Sequence, residues 1–113
     1  MTSPETDLRD CPGVLSWCFT PGFPYHGVDQ LTDLSGNPID WPVGTQARAR
    51  ISWGTGSELV VAAVVSGGTI TVDLTAEQTA GLPRGSRMVI DTAPAGDPPV
   101  WKPWRSGRAG RCR

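Results

Sequence analysis

Glycine and proline occur so often in this sequence that a bundle of long helices is nearly excluded. The 113 residues include 14 glycines and 11 prolines. Proline breaks the interior of a helix and glycine weakens it, whereas both are common in the turns that join short β-strands. We therefore expect an all-β fold in which glycine and proline separate successive strands.

Seven short segments have the residue pattern of β-strands. In residues 45–53 apolar and polar side chains alternate, which predicts a strand with one buried and one solvated face. Residues 59–65 are continuously apolar and rich in β-branched side chains, so we expect a strand that is buried on both faces. A glycine pair then opens a hairpin into residues 69–74. The other strands are expected at 14–20, 25–34, 86–92 and from about residue 100, where Pro103 indicates a sheet edge.

One short helical turn is expected near residues 75–81. Thr75 and Gln78 have the spacing of a capping box, Gly81 suits a left-handed helix end, and Pro83 prevents continuation. Taken together, these segments predict an antiparallel β-sandwich. We expect a flexible N-terminal arm at 1–13, the β-sandwich domain at 14–102 and a basic C-terminal tail at 103–113. The arm and the tail are expected to become ordered only on assembly.

Charge is distributed unevenly along the chain, although the formal net charge is only -1. Residues 1–40 contain six acidic side chains and one basic side chain, whereas residues 102–113 contain five basic side chains and no acidic one. The small net charge argues against a general nucleic-acid binder, and the basic segment is expected to pair with an acidic neighbour. An acidic front and a basic end favour head-to-tail contacts between copies of the chain.

Membrane insertion, secretion and metal binding are not indicated. The longest apolar run is far shorter than the ~20 residues that cross a bilayer, and the acidic start does not resemble a secretion signal. We therefore expect a protein made in a cytosol. Cys11, Cys18 and Cys112 cannot all pair within one chain, and with the single His26 they match no zinc motif. A bond between Cys18 and Cys112 is geometrically feasible, but free thiols are the simpler expectation for a cytosolic protein.

No residue pattern indicates catalysis. His26 is the only candidate base, and no Gly-x-Ser-x-Gly stretch offers it a nucleophile. Asp29, Asp33 and Asp40 are the nearest cluster of carboxylates, but their neighbours are typical of solvated turns. The segment around Asp33 also lacks the terminal glutamate of a calcium loop. We predict a protein that is not an enzyme and that has no metal or cofactor.

Five tryptophans in so short a chain indicate either a core or an interface. Trp17 and Trp53 fall on strand faces that we expect to be buried. Trp41 and Trp104 are expected to be exposed, in the kind of setting where tryptophan and arginine form protein interfaces. The interface candidates are Trp41, Trp104, Arg105, Arg108, Tyr25 and Asp40. A sugar-binding face formed by Trp41, Tyr25 and Trp104 is the alternative, because flat aromatic rings pack well against sugars.

Several stretches resemble a known family of phage proteins. They are Phe19-Thr20-Pro21-Gly22-Phe23, Asp29-Gln30-Leu31 and Asn37-Pro38-Ile39-Asp40-Trp41-Pro42-Val43-Gly44-Thr45. The last of these, followed by an alternating strand, is the most distinctive. The segment 73–85 and the closing Trp101, Gly107 and Arg108 are similar to the same family. It comprises the LtfC-like β-sandwich tail proteins of phages that infect actinobacteria, and the resemblance covers about residues 15–108.

The resemblance implies a structural component of a phage virion that is present in several copies and has no catalytic residues. More specifically, it implies a minor tail protein at the tail tip or baseplate of a siphophage, acting through symmetric contacts with other virion proteins. Such a protein is assembled in the cytoplasm of the host bacterium. The alternatives are a carbohydrate-binding module on the virion that contacts a host surface glycan, and a head decoration or head–tail joining protein.

Overall fold

The computed structural model describes residues 13–110 and arranges them as eight β-strands and one short helix. The strands are β1 Gly13–Val14, β2 Trp17–Cys18, β3 Tyr25–Gln30, β4 Gln46–Trp53, β5 Ser57–Ser66, β6 Thr69–Leu74, β7 Arg87–Ala93 and β8 Lys102–Gly110, and the helix α1 is Ala76–Ala80. The expected segment at 14–20 is divided into β1 and β2. The expected arm lies outside the described residues except for Gly13.

The strands form one sheet that curls until its two halves pack face to face as a β-sandwich. The order is β1-β8-β7-β4-β5-β6-β3, and β2 pairs with β8 beyond β1. Strand β5 belongs to both halves, because residues 57–63 pair with β4 and residues 64–66 pair with β6. The predicted all-β sandwich is confirmed. Its pairings are antiparallel except for β1 and β2, which run parallel to β8.

The core lies between the two halves and is built mainly from alternating positions of three strands. In β4, Ala49 and Ile51 have no exposed surface, as the alternation in the sequence predicted. Further core residues are Ala47 of β4, Ile70, Val72 and Leu74 of β6, Met88 and Ile90 of β7, and Leu15, Trp17 and Leu82. Trp53 is half-buried at the margin of this core. Burial of these apolar side chains is the main force that holds the two halves together.

Strand β5 differs from the prediction that both of its faces are buried. Its side chains alternate between half-buried and exposed, and Val60 and Val64 are 50% and 61% exposed. The sandwich has two layers, so the outward face of β5 has no third layer to cover it within residues 13–110. A continuously apolar sequence therefore did not distinguish a strand that is buried on both faces from a strand that has one exposed face.

The expected basic tail is wrong for residues 103–110, because they form most of β8. This strand pairs with β7 on one side and with β1 and β2 on the other, so for most of its length it is not an edge strand. Pro103 lies instead at a β-bulge, where the register with β7 shifts between Ile90 and Asp91. Close approach of the segment between β1 and β2 requires Gly107, since an added Cβ there would collide with the carbonyl oxygen of Leu15. Residues 111–113 lie outside the described range.

The short helix α1 forms where the sequence predicted it. The Thr75 hydroxyl accepts a hydrogen bond from the Gln78 amide at 3.1 Å, and the Gln78 side chain accepts one from the Thr75 amide at 2.8 Å. The left-handed end expected at Gly81 is wrong. Its φ is -89°, because its N–H continues the right-handed path and donates to the carbonyl oxygen of Gln78. Buried Thr79 fixes α1 to the loop between β2 and β3 by donating to the carbonyl oxygen of Phe23 at 2.8 Å.

The state of Cys18 differs from the expectation of free thiols. It takes part in a disulfide bond, so the prediction of free thiols is wrong at this position. Strand pairing places Cys18 opposite Gly110, which brings β2 and β8 together. Cys11 and Cys112 lie outside the described residues.

Candidate functional site

The interface candidates are distributed over both ends of the sandwich. We define the loop end as residues 31–45, 67–68 and 94–101, where β3, β5 and β7 finish. We define the helix end as residues 19–24, 54–56 and 75–86, where β4 and β6 finish. The pairings Gln30↔Thr69 and Tyr25↔Leu74 mark the two ends of the β3–β6 ladder.

Trp41, Trp104 and Arg105 form one cluster beside the loop end. The rings of Trp41 and Trp104 meet edge to face, with centroids 4.9 Å apart, and the Arg105 guanidinium lies 4.1 Å from the centre of the Trp104 ring. Trp104 is the unpaired residue of the β8 bulge, which turns it towards Trp41. Both tryptophans are half-buried against the core, so the expectation that they are exposed is wrong. The Trp41 Nε1 is buried and has no hydrogen-bond partner among the described residues.

Arg105 also interacts with β3, on the open side where β3 faces β1. Burial raises the pKa of Asp29, and the positive charge of Arg105 opposes that rise. Burial raises the pKa of Tyr25 as well, with a further contribution from Asp29. The Tyr25 ring lies over Gly27 and packs edge-on against Trp17, with centroids 5.7 Å apart. Tyr25 therefore packs against Trp17 and Gly27.

Asp40 and Arg108, the two remaining candidates, lie far apart. Asp40 is exposed at the loop end, where its carboxylate lies beside Gly67. Arg108 is exposed near the helix end and donates from Nη1 to the carbonyl oxygen of Gly85 at 3.2 Å. The structure thus brings three of the six candidates into direct contact and separates Arg108 from them.

A buried carboxylate that the sequence analysis missed lies on the outer face of the sheet. Asp91 is 1% exposed and accepts hydrogen bonds from Arg48 Nε at 3.0 Å, from Arg50 Nη2 at 3.1 Å and from Arg50 Nε. Burial opposes ionisation of Asp91, but these hydrogen bonds outweigh it and lower its pKa. Arg48 also lies 4.4 Å from the centre of the Trp101 ring. The sequence signal was an acid directly after the apolar run 88–90 of β7, together with two arginines on the polar face of β4.

A rigid turn projects one apolar side chain from the loop end. Leu34 is 88% exposed in the turn 33–37. The Asp33 carboxylate accepts the amides of Ser35 and Asn37, both at 2.9 Å, and the backbone of Asp33 forms two further bonds within the turn. Hydrogen bonds from the amides of Asn37 and Ser35 lower the pKa of Asp33. The turn is therefore held in one conformation around an ionised carboxylate.

An apolar pocket opens at the helix end. It has a volume of about 400 Å³, and its lining includes Phe19, Pro21, Leu82, Arg84, Gly85 and Ala109. The exposed Arg84 contributes to its wall, and Arg108 is bonded to Gly85 on the other side. This volume is in the range of roughly 300–1,000 Å³ that is typical of ligand pockets.

His26, the residue considered as a catalytic base, lies beside an acidic side chain. His26 Nδ1 lies 2.6 Å from the Asp73 carboxylate on an exposed strand face. Within residues 13–110, no group of three or more histidine, cysteine, aspartate or glutamate side chains is placed to hold a metal ion. Likewise, the described part of the chain includes no helix long and apolar enough to span a membrane.

Comparison with protein families gives a match over most of the chain. A family model described as LtfC-like, beta-sandwich domain matches residues 21–112. No curated protein and no solved structure gives a match. The matched region includes every described strand from β3 to β8, α1, the loop end, and all of the helix end except residues 19 and 20.

Proposed function

Because the chain belongs to the LtfC-like β-sandwich domain family, we propose that it is a structural component of a phage virion. The family match over residues 21–112 is the observation that carries this proposal. Within the virion, we propose a minor tail protein at the tail tip or baseplate of a siphophage that infects actinobacteria. Its partners are other tail proteins and further copies of itself, and it reaches the virion by assembly in the host cytoplasm.

Several surface features support a role in assembly. The outer edge of β3 has no strand partner among the described residues, and unpaired edges are places where another chain can add. The loop end also exposes large apolar side chains, including Leu34, Val43 and Val100. Large apolar groups exposed together are typical of surfaces that another protein covers. We propose that this surface makes protein contacts and that the protein acts without catalysis and without a cofactor.

The composition of purified virions tests this function. We expect mass spectrometry to detect the protein in intact particles, and in the tail fraction after heads and tails are separated. Detection in the head fraction alone would support the head decoration or head–tail joining alternative. Absence from all particles, with the protein present in the infected-cell lysate, would refute a virion role of either kind.

The carbohydrate-binding alternative is less well supported by the aromatic geometry. Trp41 and Trp104 pack against each other at an interplanar angle of 83°, so they do not offer one flat surface to a sugar ring. A glycan array or a cell-wall pull-down provides the test. Binding that disappears in Trp41→Ala, while the variant remains folded and enters virions, would favour this alternative over a purely structural role.

A further inference from the structure

The turn 33–37 has the properties of an anchor for a protein contact. Leu34 exposes 88% of its surface, although the surrounding backbone is fixed by the Asp33 side chain and by the bonds that close the turn. A rigid apolar group loses little conformational entropy when it becomes buried at an interface. Asp33, which precedes Leu34, and Asp40, which lies at the same end of the sandwich beside Gly67, give the loop end a negative charge.

The pocket at the helix end has complementary properties. Its walls include the apolar side chains of Phe19, Leu82 and Ala109, and its volume of about 400 Å³ is large enough for an aliphatic side chain. Arg84 lies in the wall and Arg108 binds to the adjacent Gly85. The pocket therefore combines an apolar interior with a positive rim.

These two features lie at opposite ends of the same sandwich. The turn follows Gln30 at the end of β3, whereas the pocket lies where β7 begins and β8 ends, near the pairing Arg87↔Arg108. A patch at one end that fits a different patch at the other end produces head-to-tail contacts. Such contacts close into a ring or continue as a stack.

We propose that Leu34 of one copy inserts into the helix-end pocket of the next copy, with Asp33 and Asp40 facing Arg84 and Arg108. The occupant is a second copy because the same chain carries both the apolar group and the pocket, and because their surroundings have opposite charge. The inference rests on the proposed multi-copy virion role and specifies the contact that joins the copies.

Sedimentation of the full chain with two variants tests the contact. We expect the wild type to self-associate with increasing concentration, and Leu34→Asp and Arg84→Glu each to weaken association by about tenfold or more. Val60→Asp is the matched control for the first variant, because Val60 is also exposed but lies on the side of the sandwich. Lys102→Glu is the matched control for the second, because it makes the same charge change at an exposed cation at the start of β8, at the opposite end of that strand from the pocket. Circular dichroism verifies that all four variants are folded.

A mixing experiment distinguishes a head-to-tail contact from a two-fold symmetric one. The Leu34→Asp protein keeps an intact pocket, and the Arg84→Glu protein keeps an intact Leu34. An equimolar mixture is therefore expected to form heterodimers that cannot extend, although each variant alone remains monomeric. If the mixture stays monomeric, or if each variant alone still forms wild-type oligomers, the proposed contact is overturned.

Other outcomes separate this inference from the proposed function. A wild-type chain that stays monomeric up to about 1 mM would overturn the self-contact. So would controls that weaken association as much as the test variants. Either result leaves the virion role standing if the protein is found in purified particles. In that case another virion protein becomes the occupant of the pocket.

Discussion

Removing the charge of Asp91 should destabilise this protein more than any comparable change at its surface. Asp91 is 1% exposed and receives three hydrogen bonds from Arg48 and Arg50. Asp91→Asn keeps the size of the side chain but leaves Arg48 without its counter-charge and Arg50 with only Glu58, whose carboxylate lies 3.9 Å from Arg50 Nη1. The change in stability therefore measures the loss of the ion pairs and not the creation of a cavity.

The expected loss in the free energy of unfolding follows from the burial of Asp91 and the partial exposure of Arg48 and Arg50. Loss of one partner of a buried ion pair costs about 3–5 kcal/mol of the free energy of unfolding. The side chains of Arg48 and Arg50 are 30% and 32% exposed, so water partly replaces the lost carboxylate. We therefore expect a loss of about 3 kcal/mol, which corresponds to a fall in Tm of roughly 10–20 °C for a domain of this size.

Acid should remove the same contribution from the wild type. The pKa of Asp91 is held below its ordinary value of 3.8, so the unfolded chain takes up a proton first as the pH falls. The stabilisation is fully present above about pH 4 and is lost as the pH falls through the pKa of the folded state. The difference in stability between the wild type and Asp91→Asn should therefore be constant near neutral pH and shrink in acid.

Urea unfolding and calorimetry measure both effects. We choose a range of about pH 3 to 7, because carboxylates of this kind titrate within it. Asp73→Asn is the matched control, because the Asp73 side chain is 63% exposed and makes only a surface pair with His26. Its expected cost is below about 1 kcal/mol. If Asp91→Asn costs no more than this control, or if its cost does not depend on acid, the buried ion cluster does not stabilise the fold as argued.

Three further predictions concern the cap, the close strand pairing and the open side of the sandwich. Thr75→Ala removes one half of the capping box and should lower the free energy of unfolding in urea by about 1 kcal/mol. Gly107→Ala should lower Tm much more than Gly110→Ala, because only a Cβ added at residue 107 collides with the Leu15 carbonyl oxygen. Equal values of Tm for the two variants would contradict the parallel pairing. Asp29→Asn should raise Tm at pH 7, because burial raises the pKa of Asp29 and disfavours its charged form. The variant should lose this advantage below about pH 4, where the wild-type carboxyl is protonated. A difference in Tm between variant and wild type that is the same at both pH values would contradict this account.

Local patterns predicted the local structure well. The alternation in β4 located a strand and its buried face, and the spacing of Thr75 and Gln78 located α1 and its capping box. These features depend on residues only a few positions apart, so the sequence contains their full physical cause. The apolar run of β5 was assigned to a strand for the same reason, but its exposed face depends on the number of layers in the fold. That number is a property of the whole chain.

Contacts between distant residues were not predictable in this way. Trp41 and Trp104 meet because a β-bulge in β8 reorients one of them, and no pattern in the sequence marks the bulge apart from Pro103. The basic character of residues 103–110 suggested a solvated tail. Their backbone nevertheless pairs on both sides, and the Arg105 guanidinium lies over the Trp104 ring. The interface candidates were thus identified by residue type, whereas their grouping required the fold.

The parallel pairing of β1 and β2 with β8 has a mechanical consequence. Because these strands run in the same direction, a force that pulls Gly13 and Gly110 apart slides the strands along each other. In that geometry the hydrogen bonds between the strands bear the load together, whereas an antiparallel hairpin pulled from its open end opens one bond at a time. A subunit pulled through its two terminal strands would therefore resist extension by shear along the sheet.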